Sequence, residues 1–219
     1  MAHPRARGLN DVRDVALVHG LWMPGVVMAP LGTRLARAGF RCHLFAYASH
    51  RRPLEENAEH LRRFARRRLE GRPAHYVGHS LGGLVVMRAL GAHPELAVGS
   101  VVLLGTPAQG CLSARRVEGR RFGRWMLGAS APLWQEGVEA RWTRPEPLGV
   151  VAGTAQFGLA RAVVRLPGPN DGVVRVEETT VEGMRARIVL PVAHSAMIVS
   201  SRVAAQVLSF LQHGRFAIA

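Results

Sequence analysis

Short apolar runs alternate with longer amphipathic stretches along most of this 219-residue chain. Val15-Ala16-Leu17-Val18 is apolar at every position and stops at His19-Gly20, as a strand buried on both faces does. Residues 25–38 predict a helix closed by Gly39, a helix-stop residue. Phe40–Tyr47 alternates and predicts the second strand. Residues 54–70 predict a second helix, because Leu54, Ala58, Leu61, Phe64, Ala65 and Leu69 share one face. Its arginines and glutamates fall on the other face, which reads as a solvated surface. Ala74–Val77 predicts a third strand, and Leu81–Leu90 a helix that ends near Gly91 and Pro94. Ser100–Leu104, Leu148–Ala152 and Ala186–Leu190 predict three more strands. Residues 199–212 predict a closing helix with Val203, Val207, Leu208 and Leu211 turned inward. Strands and helices taken in turn give an α/β chain, with a mostly parallel sheet covered by helices on both faces. No repeat or linker divides it, so residues 1–219 read as a single domain.

One segment does not fit simple alternation. Cys111 to Pro147 is longer than the helix that one crossover needs. It holds Trp125, Trp134 and Trp142, three of the four tryptophans. Large aromatics above the sheet's C-terminal edge either wall a pocket, as a small cap or mobile lid would, or pin ordinary helices to the core. The pattern does not choose between them.

Composition narrows the partners. No apolar stretch approaches the roughly 20 residues of a membrane helix. The basic N-terminus is not followed by the apolar core of a secretory signal, so a cytoplasmic location is expected. The net charge of +14 would suggest nucleic acid, but all 29 basic residues are arginine and none is lysine. They are scattered in small groups without interleaved aromatics, a pattern of codon bias more than of a phosphate-binding face. Nucleic acid is not the expected partner, whereas association with a membrane or lipid interface is compatible with the charge. Cys42 and Cys111 read as free buried thiols. No Cys/His cluster has metal-ligand spacing, so neither a metal nor another cofactor is expected. Oligomeric state is not legible.

The chemistry centres on Gly78-His79-Ser80-Leu81-Gly82-Gly83, a Gly-x-Ser-x-Gly pattern between a predicted strand and a predicted helix. A serine on such a turn is pushed into unfavourable backbone angles with its hydroxyl exposed, and small neighbours let strand and helix pass closely. A serine hydroxyl is a weak nucleophile until a base takes its proton and an acid orients that base. The expected chain order is serine, acid, histidine. Of the three aspartates only Asp171 follows Ser80, in the turn-rich Pro169-Asn170-Asp171-Gly172. Glu118, Glu136 and Glu139 in the 111–147 segment are the other candidates for the acid. His194 and His213 are the only histidines after Asp171. His194 lies just past the last strand, at the same sheet edge as Ser80, and reads as the base; His213 reads as a solvated helix end. An oxyanion would be met by the backbone N–H of Leu81 and by one from the loop after the first strand, with Leu21 ahead of Trp22.

These motifs resemble the α/β-hydrolases, in particular small lipase- and esterase-like members. The resemblance rests on Val18-His19-Gly20-Leu21, the Ser80 pentapeptide, Leu104-Gly105-Thr106-Pro107, Asn170-Asp171-Gly172-Val173-Val174 and His194. It runs from about residue 14 to 212. It implies an α/β-hydrolase fold with a small cap or none, and a cofactor-free serine hydrolase acting on a small ester or lipid through an acyl-enzyme. A thioesterase or acyltransferase with the same triad is the alternative, and a non-catalytic binding module a more remote one. The short chain implies an open site.

Overall fold

The computed structural model describes residues 9–119, 121–136, 141–156 and 166–217. Its strands are β1 (Asp14–Val18), β2 (Arg41–Phe45), β3 (Ala74–His79), β4 (Val98–Leu104), β5 (Leu148–Gly153) and β6 (Ala186–Leu190). They form one sheet in the order β2-β1-β3-β4-β5-β6, with every neighbouring pair parallel. Each strand predicted from the pattern is present. The largest shifts are at strand ends, where β2 stops at Phe45, β3 continues to His79 and β4 begins at Val98.

Successive strand residues point to opposite faces, and this sorts the core into two layers. Ala16, Val18 and Tyr76 join one apolar cluster with Leu54 and Leu61 of α2 (Leu54–Leu69) and Leu84 of α3 (Leu81–Ala92). Val15, Leu17 and Val77 join the other, with Leu31 and Leu35 of α1 (Ala29–Arg37) and the closing helix Ser201–His213. The helices therefore cover both faces, as expected. β1, β3 and β5 are buried at every residue, whereas the edge strands β2 and β6 mix buried and exposed positions. The stretch predicted as one helix from residue 25 opens as a 3₁₀ turn, Gly25–Met28, before α1. Pro30 sits in the first turn of α1, where its missing N–H leaves no partner unsatisfied.

The closing helix differs from its predicted inward face in one respect. Leu208 is only half-buried, and Phe210 is fully buried. The ring of Phe210 fills the space over Gly149 of β5, where a Cβ would stand only 2.6 Å from it. A periodicity count cannot see a large side chain that is accommodated by a missing one on another strand.

The N-terminal edge of the sheet is tied by charge. Asp14 is buried and meets Arg41 at 2.6 Å, His43 at 2.7 Å and Arg72 at 3.3 Å. The hydrogen bond from Arg41 holds the Asp14 carboxyl well below the usual carboxylate range. This cluster joins β1, β2 and the chain leading into β3 at the end of the sheet opposite Ser80.

At the other end, α3 begins so close to β1 that a Cβ on Gly82 would overlap the carbonyl oxygens of Val18 and His19. Gly82→Ala should lower unfolding stability by about 1–3 kcal/mol, read as a lower urea midpoint. Gly91→Ala, near the end of the same helix and with open space at its Cβ position, should instead be neutral or gain about 0.5–1 kcal/mol. Equal behaviour of the two variants would contradict the close-approach account.

Candidate active site

The turn from β3 into α3 places Ser80 at the C-terminal edge of the sheet. Ser80 has φ 54° and ψ −126°, a backbone region that costs of the order of 1–3 kcal/mol for a residue with a side chain. Close packing enforces it. A Cβ on Gly78 would lie 2.5 Å from the Cα of Gly83, and one on Gly83 would overlap the side chain of Thr106. The Ser80 N–H donates to the Leu104 carbonyl at 2.9 Å, which fastens the turn to β4.

Asp171 and His194 meet beside it. His194 Nδ1 donates to Asp171 Oδ2 at 2.7 Å, and both residues are buried. Asp171 Oδ1 accepts from the N–H groups of Val173 at 2.9 Å and Val174 at 2.7 Å, so the carboxylate has partners at both oxygens. The loop that presents it is shaped by Asn170. That side chain accepts from the Gly172 N–H at 3.0 Å and donates to the Gly168 carbonyl at 2.8 Å. Gly172 then turns the chain at φ 95°. Part of the excursion expected between β5 and Asp171, residues 157–165, lies outside the described residues. So do Glu139 and the side chain of Glu136. Glu118 lies 3.6 Å from Arg124, and Asp171 is the carboxylate hydrogen-bonded to His194. His213 is exposed at the end of the closing helix.

With Nδ1 engaged by the carboxylate, His194 has Nε2 left to act as an acceptor. Its backbone is fixed as well: its N–H donates to the Asp171 carbonyl at 3.0 Å, and its carbonyl accepts from His79 Nε2 at 3.0 Å. His79 is fully buried, and burial, reinforced by the neighbouring His194, pushes its pKa down to about 3. The residue directly before Ser80 therefore links the serine turn to His194. The sequence motif contained it without revealing this role. Strand alternation was the available signal, since it points His79 and Ser80 in different directions. His19, just after β1, is also buried, and desolvation pushes its pKa down. Its ring stacks on Tyr47, whose hydroxyl donates to the His19 carbonyl at 2.8 Å.

Ser80 and His194 line a single cavity of about 420 Å³. Gly20, Leu21, Trp22 and Leu81 line it from the sheet side. Much of the rest comes from the 111–147 segment and from Val173 and Val174, and the wall is mostly apolar. The described residues of that segment form three short α-helices, α4 (Leu112–Glu118), α5 (Gly123–Leu127) and α6 (Ala131–Glu136). Ala114, Val117, Leu127 and Trp134 face the cavity from them. Cys111 lines it as a free thiol whose pKa burial raises to about 11. Buried Glu178 accepts from the Leu112 N–H at 2.7 Å and the Arg175 N–H at 2.8 Å, and Ser113 Oγ donates to the Val173 carbonyl at 2.7 Å. The base of α4 is thus bonded to the loop that carries Asp171. The N–H groups of Leu21 and Leu81 have no acceptor among the described residues. No group of three His, Cys, Asp or Glu residues among those described is placed to hold a metal ion.

The family model described as the alpha/beta hydrolase family matches residues 15–213. The chain belongs to that family. Solved structures agree on the fold. The lipase BlEst2 of Bacillus licheniformis is 16% identical in its propeptide form with a TM-score of 0.78, covering 99% of this chain. This chain spans about half, 54%, of that propeptide form, but 94% of the mature form, with a TM-score of 0.74, 16% identity and 95% of this chain covered. A hydrolase from Pseudomonas aeruginosa is 18% identical with a TM-score of 0.67, over 94% of this chain and 92% of that one. The esterase RhEst1 from a Rhodococcus species is 16% identical with a TM-score of 0.61, over 94% and 92%. No curated protein matches the chain in sequence.

The buried histidines set a pH dependence. His79 at about 3 and His75 at about 4 are neutral in the fold, while both return to about 6.5 when unfolded. The unfolded chain binds more protons below that value, so stability is full above pH 6.5 and falls as pH drops toward the folded pKa values. Between about pH 6.5 and 5, above most carboxylate titration, His75 and His79 should each add up to about one proton to the slope of unfolding free energy. His79→Gln should remove about one proton from that slope in urea titrations at stepped pH. An unchanged slope would contradict the neutral state assigned to His79.

Proposed function

We propose that this chain is a serine esterase, cleaving carboxylic esters through an acyl-enzyme with Ser80, His194 and Asp171 as its triad. The observation that carries the reading is His194, bonded to Asp171 at 2.7 Å and opening with Ser80 onto one mostly apolar cavity. Fold neighbours described as a lipase and an esterase support the ester class.

In this mechanism Ser80 Oγ attacks the ester carbonyl and its proton passes to His194 Nε2. Asp171 stabilises the resulting imidazolium and keeps its ring oriented. The tetrahedral oxyanion accepts from the N–H groups of Leu81 and Leu21, each such donor contributing of the order of 3–4 kcal/mol. Leu81 N–H lies directly after the nucleophile, where α3 starts, and the helix N-terminus adds a favourable partial charge. The bond from carbonyl carbon to alcohol oxygen breaks, and His194 gives its proton to the departing alcohol. Water then repeats the sequence on the acyl-Ser80 bond and releases the acid. The apolar cavity wall under α4–α6 would hold the acyl chain by burial. Hydrogen bonds between nucleophile and base commonly tighten only when substrate binds.

Labelling with a fluorophosphonate probe, beside hydrolysis of p-nitrophenyl esters from acetate to palmitate, tests the reading. Ser80→Ala should lose labelling and turnover together, and His194→Ala most of its turnover, with the folded spectrum unchanged. Asp171→Asn should lower kcat by about four orders of magnitude, through loss of the oriented tautomer. Full activity in Asp171→Asn would remove it from the mechanism, and a folded wild type that neither labels nor hydrolyses would overturn the esterase reading. Added alcohol in the product analysis separates hydrolysis from acyl transfer.

A further inference from the structure

Trp125 and Phe122, the two most exposed large apolar side chains among the described residues, lie with exposed Trp22 and Met126 on one side of the cavity. α5 carries Phe122 at its N-cap, 66% exposed, with Trp125, 69% exposed, and Met126 following. Spacings of three and four residues set these on a single helical face. Trp22, from the loop after β1, extends the patch. Its ring lies 5.7 Å from that of Trp125, and its Nε1 donates to the Met126 carbonyl at 2.6 Å. The patch is a fixed surface. The Trp22 ring lies 3.8 Å from that of His50 at a tilt of 35°, His50 Nε2 donates to the Trp125 carbonyl at 2.7 Å, and the His50 carbonyl accepts from the Ala129 N–H at 2.9 Å. Trp22 and Met126 also line the cavity that holds Ser80, so the patch forms one lip of its mouth.

Charge around the patch is mainly positive. Arg121 stands 5.7 Å from the centre of the Phe122 ring, and Arg124 projects from the same helix as Trp125 with its side chain 83% exposed. Exposed Arg115 extends the basic rim along α4. Glu118 is the single acidic residue among those described between Cys111 and Leu127, and it lies beside Arg124. Tryptophan with an apolar ring and an N–H suits the boundary between headgroups and acyl chains, and a surrounding basic rim suits anionic headgroups. Among the described residues no helix is long and apolar enough to cross a membrane.

We propose that the face formed by Trp22, Phe122, Trp125 and Met126 docks on anionic lipid surfaces, with Arg115, Arg121 and Arg124 meeting the headgroups. The aromatic side chains enter the headgroup boundary, and the cavity mouth opens toward the lipid. No movement of the 111–147 segment is required, because the patch is already exposed. Docking itself is independent of Ser80; the benefit of bringing the cavity to a lipid ester rests on the esterase reading.

The test is co-sedimentation of the full chain with vesicles of phosphatidylglycerol and phosphatidylcholine in equal parts, and with phosphatidylcholine alone. Wild type should bind the anionic vesicles at least about tenfold more tightly, with binding weakened by added salt. The double variant Phe122→Ser/Trp125→Ser should lose about tenfold or more of that affinity. Arg121→Gln/Arg124→Gln should lose a similar factor and most of the salt dependence that remains near the patch. Both variants should hydrolyse soluble p-nitrophenyl acetate as wild type does and keep its thermal midpoint. Failure of wild type to bind, equal binding to the zwitterionic vesicles, or unaltered binding by Phe122→Ser/Trp125→Ser overturns the proposal; the last result would place attraction in the diffuse positive charge. Vesicle binding by a chain that hydrolyses no ester would leave this surface standing and remove the esterase reading.

Discussion

Side chains are missing wherever the C-terminal edge of the sheet is most crowded. Gly78 faces Gly83, Gly83 faces Thr106, and Gly82 lies on the carbonyls that end β1. Gly105, at φ 54°, leaves room for Asp171 Oδ2 and His194 Nδ1, each 3.0 Å from where its Cβ would stand, and Gly153 does the same for the Asp171 side chain. The strained turn at Ser80 persists because these approaches, with the hydrogen bond to Leu104, leave the backbone no other course. Everything else at the site depends on that closeness. The Asp171–His194 pair can lie directly on the ends of β4 and β5, and Ser80 can stand beside it, only because no Cβ separates the layers.

His194 illustrates how a polar network gains precision when it is dry. Its ring is held by Asp171, its N–H by the Asp171 carbonyl and its own carbonyl by His79. Inside a low-dielectric site these bonds are stronger than in water, and leaving any one unmade is correspondingly costly. A neutral His79 suits this task. As a cation beside His194 it would oppose formation of the imidazolium that the proposed chemistry requires, whereas burial keeps it uncharged.

The sheet was legible because most of its central strands are short apolar runs with glycine at or near their ends, and the helices because their apolar faces are periodic. Ser80, Asp171 and His194 could be named from motif and chain order because few residues compete: only Asp171 among the aspartates follows the serine. Their contact required coordinates, since Asp171 and His194 reach the sheet edge from different loops. His79, Glu178 and the Phe210–Gly149 fit left no periodic trace. Each depends on a partner far away in sequence, and no local pattern records such a pair.

The 111–147 segment shows why composition could not settle its own question. Its tryptophans divide among three environments. Trp134 is buried against the cavity, and Trp142 is buried with its Nε1 donating to the Glu146 carbonyl, as a pin between the segment's end and the core. Trp125 does neither and faces outward beside Trp22. The residue type supplies a large apolar body with one donor. Which use is made of it follows from the turn of a short helix, and α5 turns Trp125 away from a cavity that its neighbour Leu127 faces. A similar argument applies to the arginines. Scattered along the sequence they point to codon usage, but two of them flank an aromatic face, and a charge acts from its place in space whatever process supplied it.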